Sequence, residues 1–202
     1  MERNPLGTGH VINTVRTLMR DDGLDVSLAA VARACGVSRN FLWTNWKSAS
    51  ALHLPALKAE LAQAFRTAQR THPSDGTVPG IIEHLCQVVR VVRGHPTTAA
   101  VARTAREAFP RVHGAVDGLL VGVVTEHVSD LLHPLAPHGG VWSDPALHDL
   151  PWKILWIARP AALCVEAVGD REWEGRLDGA FRGLLRDLLR PWAAAGPPEE
   201  VP

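Results

Sequence analysis

Residues 27–46 read SLAAVARACGVSRNFLWTNW. Ser27 has the side chain to cap a helix over 28–35, in which Leu28, Val31, Ala32 and Cys35 share one face. Gly36 follows where a left-handed residue closes a helix. Ser38 can cap a second short helix from Arg39 to about Asn45. The two helices are thus joined by a three-residue turn, Gly36-Val37-Ser38. Small Ala32 lets them cross closely, and Val31, Cys35, Val37 and Leu42 fill the joint. This is the spelling of a helix-turn-helix, whose second helix can enter the major groove of DNA.

Upstream, Ile12, Val15 and Met19 mark the inner face of a first helix over 8–22, stopped by Gly23. Downstream, Ser48 or Ser50 opens a long helix to about Arg70, with Pro55 expected to kink it or delay its start. The stretch from about His10 to Leu61 resembles the N-terminal domain of TetR-family transcriptional regulators. The matching positions are Gly23, Val31-Ala32, Gly36-Val37-Ser38 and Leu42-Trp43-Thr44-Asn45-Trp46. Five departures stand out. Trp43 occupies the place of a usual Tyr, Trp46 of a Phe, Asn45 of a His, Phe41 of a phosphate-contacting Thr and Ala49 of a Lys. Lys47, two residues before Ala49, offers a replacement phosphate contact, and the Trp43 indole keeps an N–H donor.

The resemblance implies an all-helical homodimer, with a variable C-terminal domain that binds a small ligand and releases the DNA. By position, Ser38, Arg39, Asn40, Thr44 and Asn45 are the residues expected to meet DNA, with Trp43 beside them. Arg39 and Asn40 carry the donor and acceptor sets for guanine and adenine edges. Ser27 and Lys47 are better placed for phosphates.

The rest of the chain is also helical in pattern, so the expected fold class is all-α. It comprises a three-helix helix-turn-helix domain (1–50), a connecting helix (51–71) and a larger ligand-binding and dimerisation domain (72–192). The turn-rich THPSDGT at 71–77 marks the boundary. Helices are expected over 78–93, 97–109, 110–132, 149–168 and 171–190, punctuated by Gly94, Pro96, Pro110, Gly169 and Asp170. Residues 133–148 read as a long loop, and 193–202 as a disordered tail.

Ligand contacts in an apolar cavity come from a few polar groups. Pro160 cannot donate to the Trp156 carbonyl, so a kink there would bring Arg159, Trp152 and Trp156 around a bare acceptor. His84, Thr98, His113 and Asp117 are polar residues in otherwise apolar helical stretches. These seven are the expected effector contacts, for a hydrophobic or amphipathic molecule such as a lactone, fatty acyl or aromatic compound. The last two helices are expected to form a four-helix dimer interface. Leu155, Ala161 and Val165 come from one, and Trp173, Leu177, Phe181, Leu184 and Leu188 from the other.

Composition excludes several classes. Lys plus Arg and Asp plus Glu are both 21, so the formal net charge is zero, which argues against a wholly basic nucleic-acid coat protein. The zero hides an asymmetry. Residues 1–70 hold 9 Lys/Arg against 5 Asp/Glu, a surplus of four positive charges, and the remainder holds 12 against 16. The basic part suits phosphate contact. Three scattered cysteines, Cys35, Cys86 and Cys164, suit free thiols in a reducing compartment. With no signal peptide or run of 18 apolar residues, a cytoplasmic protein without a membrane partner is expected.

Enzyme readings find little support. His127, His133, His138 and His148 lack metal-site spacing, and there is no HExxH or Cys pair. No Ser sits in GxSxG, and no phosphate-binding loop appears. No metal, cofactor or catalytic residue is expected. The reading is a ligand-responsive dimeric repressor whose partners are a double-stranded DNA operator, a small-molecule effector and a second copy. The alternatives are a small-molecule-binding helical protein with lost or weak operator binding, prompted by Phe41 and Ala49, and a metal-dependent or hydrolytic enzyme.

Overall fold

The computed structural model describes residues 7–136 and 141–193, with backbone alone for 105–120 and 142. Among the described residues there is no β-strand. They form eight α-helices: α1 (Thr8–Asp22), α2 (Leu28–Cys35), α3 (Arg39–Asn45), α4 (Ser50–Thr71), α5 (Val78–Arg93), α6 (Pro96–Leu132), α7 (Leu150–Leu163) and α8 (Arg171–Ala193). The all-α expectation holds.

The chain forms two compact units. The first combines Met1–Gln63 with Gly94–Leu119, the second Ala64–Arg93 with Leu120–Pro202. In the first, Val11, Val15 and Met19 of α1 meet Val31, Ala32 and Cys35 of α2, Leu42 of α3, and Leu52 and Ala56 of α4 in one apolar core. The buried stripe of α1 starts at Val11, and Ile12 lies at its edge, so the repeat is i, i+4, i+8.

By sequence, residues 94–119 fall wholly within the expected second domain. In the structure the first turns of α6 are built into the first unit. Thr104 Oγ1 accepts the Leu24 N–H at 3.0 Å, and Arg103 Nη2 donates to the Asp21 carbonyl at 2.7 Å. That carbonyl is one of the acceptors a helix C-terminus leaves open, where a cation is favoured.

The second unit has its own core. Ile81, Ile82, Leu85 and Val89 of α5 pack with Leu132 of α6, Ile154 of α7, and Phe181, Leu185 and Leu189 of α8. Arg93 is almost fully buried, and its guanidinium donates to Asp178 Oδ1 at 2.6 Å and to the Ala161 carbonyl at 3.3 Å. Burial pushes the Asp178 carboxyl upward. Its hydrogen bonds to Arg90 and Arg93 outweigh that and hold it below the ordinary range.

Two expected boundaries are corrected. Pro110 does not divide two helices, because α6 runs unbroken from Pro96 to Leu132. One proline removes one backbone bond, a cost that a long helix carries when its flanking turns are held. The expected helix over 149–168 ends at Leu163, where Cys164 leaves helical geometry at φ −78°, ψ 68°. A 3-10 turn, Val165–Ala167, follows. Pro55 and Pro160 both lie inside their helices, and α4 starts at Ser50, one of its two expected openers. The tail expected to be disordered lies outside the described residues beyond Ala193.

Candidate nucleic-acid interface

The helix-turn-helix is held by bonds its sequence supplies. Ser27 Oγ accepts the Ala30 N–H at 3.2 Å at the start of α2. At the other end Gly36 takes φ 68°, ψ 27°, the left-handed conformation that L side chains disfavour. The Val37 N–H reaches the Ala32 carbonyl at 2.9 Å, completing the cap. Ser38 Oγ then accepts the Phe41 N–H at 3.1 Å to open α3. Both serine hydroxyls act as acceptors in these caps, which leaves each O–H as a donor.

One side of α3 faces inward. Leu42 is fully buried, and Phe41 and Trp46 pack against the same core. Phe41, an odd residue on such a helix, is therefore a packing residue. The other side is open. Arg39, Asn40, Thr44, Asn45 and Lys47 are exposed, and Trp43 is 56% exposed. Thr44 Oγ1 donates to the Asn40 carbonyl at 2.9 Å and Asn45 Nδ2 to the Phe41 carbonyl at 2.8 Å, so those two donors are spent on the helix itself. Arg39, Asn40 and Lys47 make no side-chain bond to other described residues. The side chains open on this face, among the described residues, are a guanidinium, a carboxamide, an ammonium and an indole.

His53 of α4 locks the module from behind. It is buried, and its Nε2 lies 2.9 Å from the Val26 carbonyl, which can only accept, so the proton sits on Nε2. Burial lowers its pKa and keeps the ring neutral. Sequence reasoning did not single out His53, nor Arg16, Glu60 and His95, which meet in the same unit. A lone polar residue on an amphipathic helix carries no pattern that names its distant partner.

In the second unit, His84 is fully buried and satisfied. Its Nδ1 donates to the His72 carbonyl at 2.8 Å, and its Nε2 lies 3.2 Å from His127 Nε2. Phe65 stacks on His127 with centroids 3.9 Å apart. Burial, then the neighbouring His84, drives the His127 pKa down to about 4.

The other expected effector contacts are dispersed. Trp152 and Trp156 are exposed on α7, Arg159 is half-buried, and Thr98 belongs to the first unit. The His113 and Asp117 side chains lie outside the described residues. A groove of about 400 Å³ opens between α5 and α8 beside Val78, Ile82, Glu83 and Arg186, and includes none of the seven. Of the expected interface residues, Trp173 and Leu184 are exposed. Leu155, Val165, Leu177 and Leu188 are half-buried, and Ala161 and Phe181 belong to the core of the second unit. Among the described residues no three His, Cys, Asp or Glu side chains converge on a metal position, and no helix is long and apolar enough to cross a membrane.

The arrangement is similar to a solved regulator. The crystal structure of the TetR family repressor AlkX from Dietzia sp. strain DQ12-45-1b, implicated in biodegradation of n-alkanes, superposes with a TM-score of 0.56. The match covers 89% of this chain and 94% of that one at 16% sequence identity. The chain therefore has a TetR-like fold. No family model matches the sequence, and no curated protein matches it closely enough to count as a relative.

Proposed function

We propose that the chain is a dimeric, ligand-responsive DNA-binding transcriptional regulator, acting as a repressor that a small hydrophobic or amphipathic effector releases from its operator. The observation that carries this reading is the open face of α3. Arg39, Asn40 and Trp43 project from a helix capped at its start and packed through Leu42, in a chain of TetR-like fold. Arg39 and Asn40 would read base edges. Ser27, Ser38, Trp43 and Lys47 would hold phosphates, and Thr44 and Asn45 would flank the readers. The reading assigns no catalytic role.

A second copy is the proposed partner of α7 and α8. Trp152, Trp156 and Leu163 lie on one stripe of α7 and are 41%, 66% and 42% exposed. Trp173, Leu177 and Leu184 form a corresponding stripe on α8, of which Trp173 and Leu184 are about half exposed. Monomers seldom leave so much large apolar surface in water. The effector is assigned to the second unit, with Arg159 of α7 as a polar candidate.

The test is binding to the region upstream of the protein's own gene. Purified protein should shift that fragment at low salt in preference to random DNA of equal length. Equal binding to both would refute operator recognition.

A further inference from the structure

We propose that His95 is a positioning residue for operator recognition, fixing α1 and α4 against the first turn of α6 through Glu60. The proposal rests on the operator-binding reading above and adds to it the joint that holds the reading module in register.

Glu60 of α4 is only 8% exposed. Its Oε1 accepts from Arg16 Nε of α1 at 3.1 Å, and its Oε2 from Arg16 Nη2 at 3.3 Å. The same Oε2 faces His95 Nε2 at 3.3 Å. His95 immediately precedes Pro96, the first residue of α6, and uses both ring nitrogens. Its Nδ1 accepts the Thr97 N–H at 3.3 Å, so the proton of a neutral ring lies on Nε2, directed at Glu60. One imidazole thus caps α6 and ties that cap to a carboxylate shared with α1 and α4.

Stability alone does not account for this choice. A buried ion pair is often replaceable by apolar residues without loss, whereas its geometry is directional and excludes slipped packings. The joint even carries a penalty, because the Thr97 hydroxyl is buried and finds no partner among the described residues. The helices it joins frame α3. Leu42 is seated in the core that α1 and α4 build, so the tilt of the recognition helix follows theirs. Base contacts tolerate little tilt, while phosphate attraction tolerates more.

Two substitutions separate the roles of the ring. His95→Asn keeps an acceptor near the Nδ1 position for the α6 cap but is too short to reach Glu60. His95→Gln places an N–H near the Nε2 position and restores the link. The full-length chains are compared on an operator selected with the wild type and on an unrelated duplex, at one salt concentration, alongside thermal melts. The expected result has three parts. The Asn variant melts within a few degrees of wild type. It binds unrelated DNA within twofold of wild type but binds the operator at least tenfold more weakly. The Gln variant stays within threefold of wild type on both duplexes. The proposal is overturned if the Asn variant keeps operator affinity, if it loses both duplexes equally, or if Gln fails to restore binding. A wild type that cannot tell the two duplexes apart refutes the operator reading itself, and the joint with it.

Discussion

Gly23 lies so close to Ala100 that a Cβ on the glycine would stand 2.5 Å from the alanine carbonyl oxygen. The contact joins the end of α1 to the first turns of α6, within one compact unit. Gly23 also holds φ 57°, ψ −125°, a backbone region closed to other residues. Strain and steric overlap therefore act together. Gly23→Ala is expected to destabilise the protein by about 2–4 kcal/mol, read as a lowered urea midpoint. A change below about 0.5 kcal/mol would contradict both the backbone strain and the contact with α6.

Arg39 is the exposed side chain on α3 with the strongest chemistry for a base edge. Arg39→Ala should cost about 1–3 kcal/mol of operator affinity and relax preference at one base position. Lys47→Ala should instead weaken all duplexes alike and reduce the salt dependence of binding by about one unit. Titrations of both variants against operator and scrambled duplex over a salt series distinguish the two patterns.

The first unit was legible in the sequence wherever the signals were local. Ser27, Gly36 and Ser38 announce their caps through residue type alone, and each does what that type does best. The contribution of α6 was not legible, because the bonds of Thr104 to Leu24 and of Arg103 to Asp21 span some eighty residues with no motif around them. Pro110 marks a boundary in the sequence because a proline removes a helical backbone bond, yet the backbone of α6 runs through it. Among the aromatic residues of the recognition segment, sequence could not separate packing from exposure. The structure turns Phe41 and Trp46 inward and leaves Trp43 out.

His84 and His127 make the second unit sensitive to acid. The His72 carbonyl fixes a proton on His84 Nδ1, so a neutral His84 must accept from His127 Nε2–H. Burial lowers both folded pKa values, to about 4 for His127 against an ordinary 6.5. The unfolded chain thus takes up protons first as pH falls. The stabilising contribution is complete above about pH 6.5 and is lost progressively towards pH 4. For His127 the loss is on the order of 3 kcal/mol. His127→Gln, which keeps a donor towards His84, should flatten the urea midpoint between pH 7.5 and 4.5. An unchanged slope would show that the pair does not control acid stability.

Trp156, 66% exposed on α7, provides a test of assembly. Trp156→Asp should leave the helical content and the melt of the monomer near wild type while converting a dimer to monomer at micromolar concentration. Sedimentation velocity reads this directly. A wild-type chain that is itself monomeric at that concentration would refute the assigned interface.

Selection of bound sequences from a pool of random duplexes is the most direct measurement of operator recognition. The expected result is enrichment of one near-palindromic site, its half-sites spaced by about one helical turn or somewhat more. The enriched duplex should bind at least a thousandfold more tightly than the starting pool at physiological salt, within the roughly 10³–10⁷ range of specific recognition. A folded, dimeric protein that enriches no sequence would contradict it.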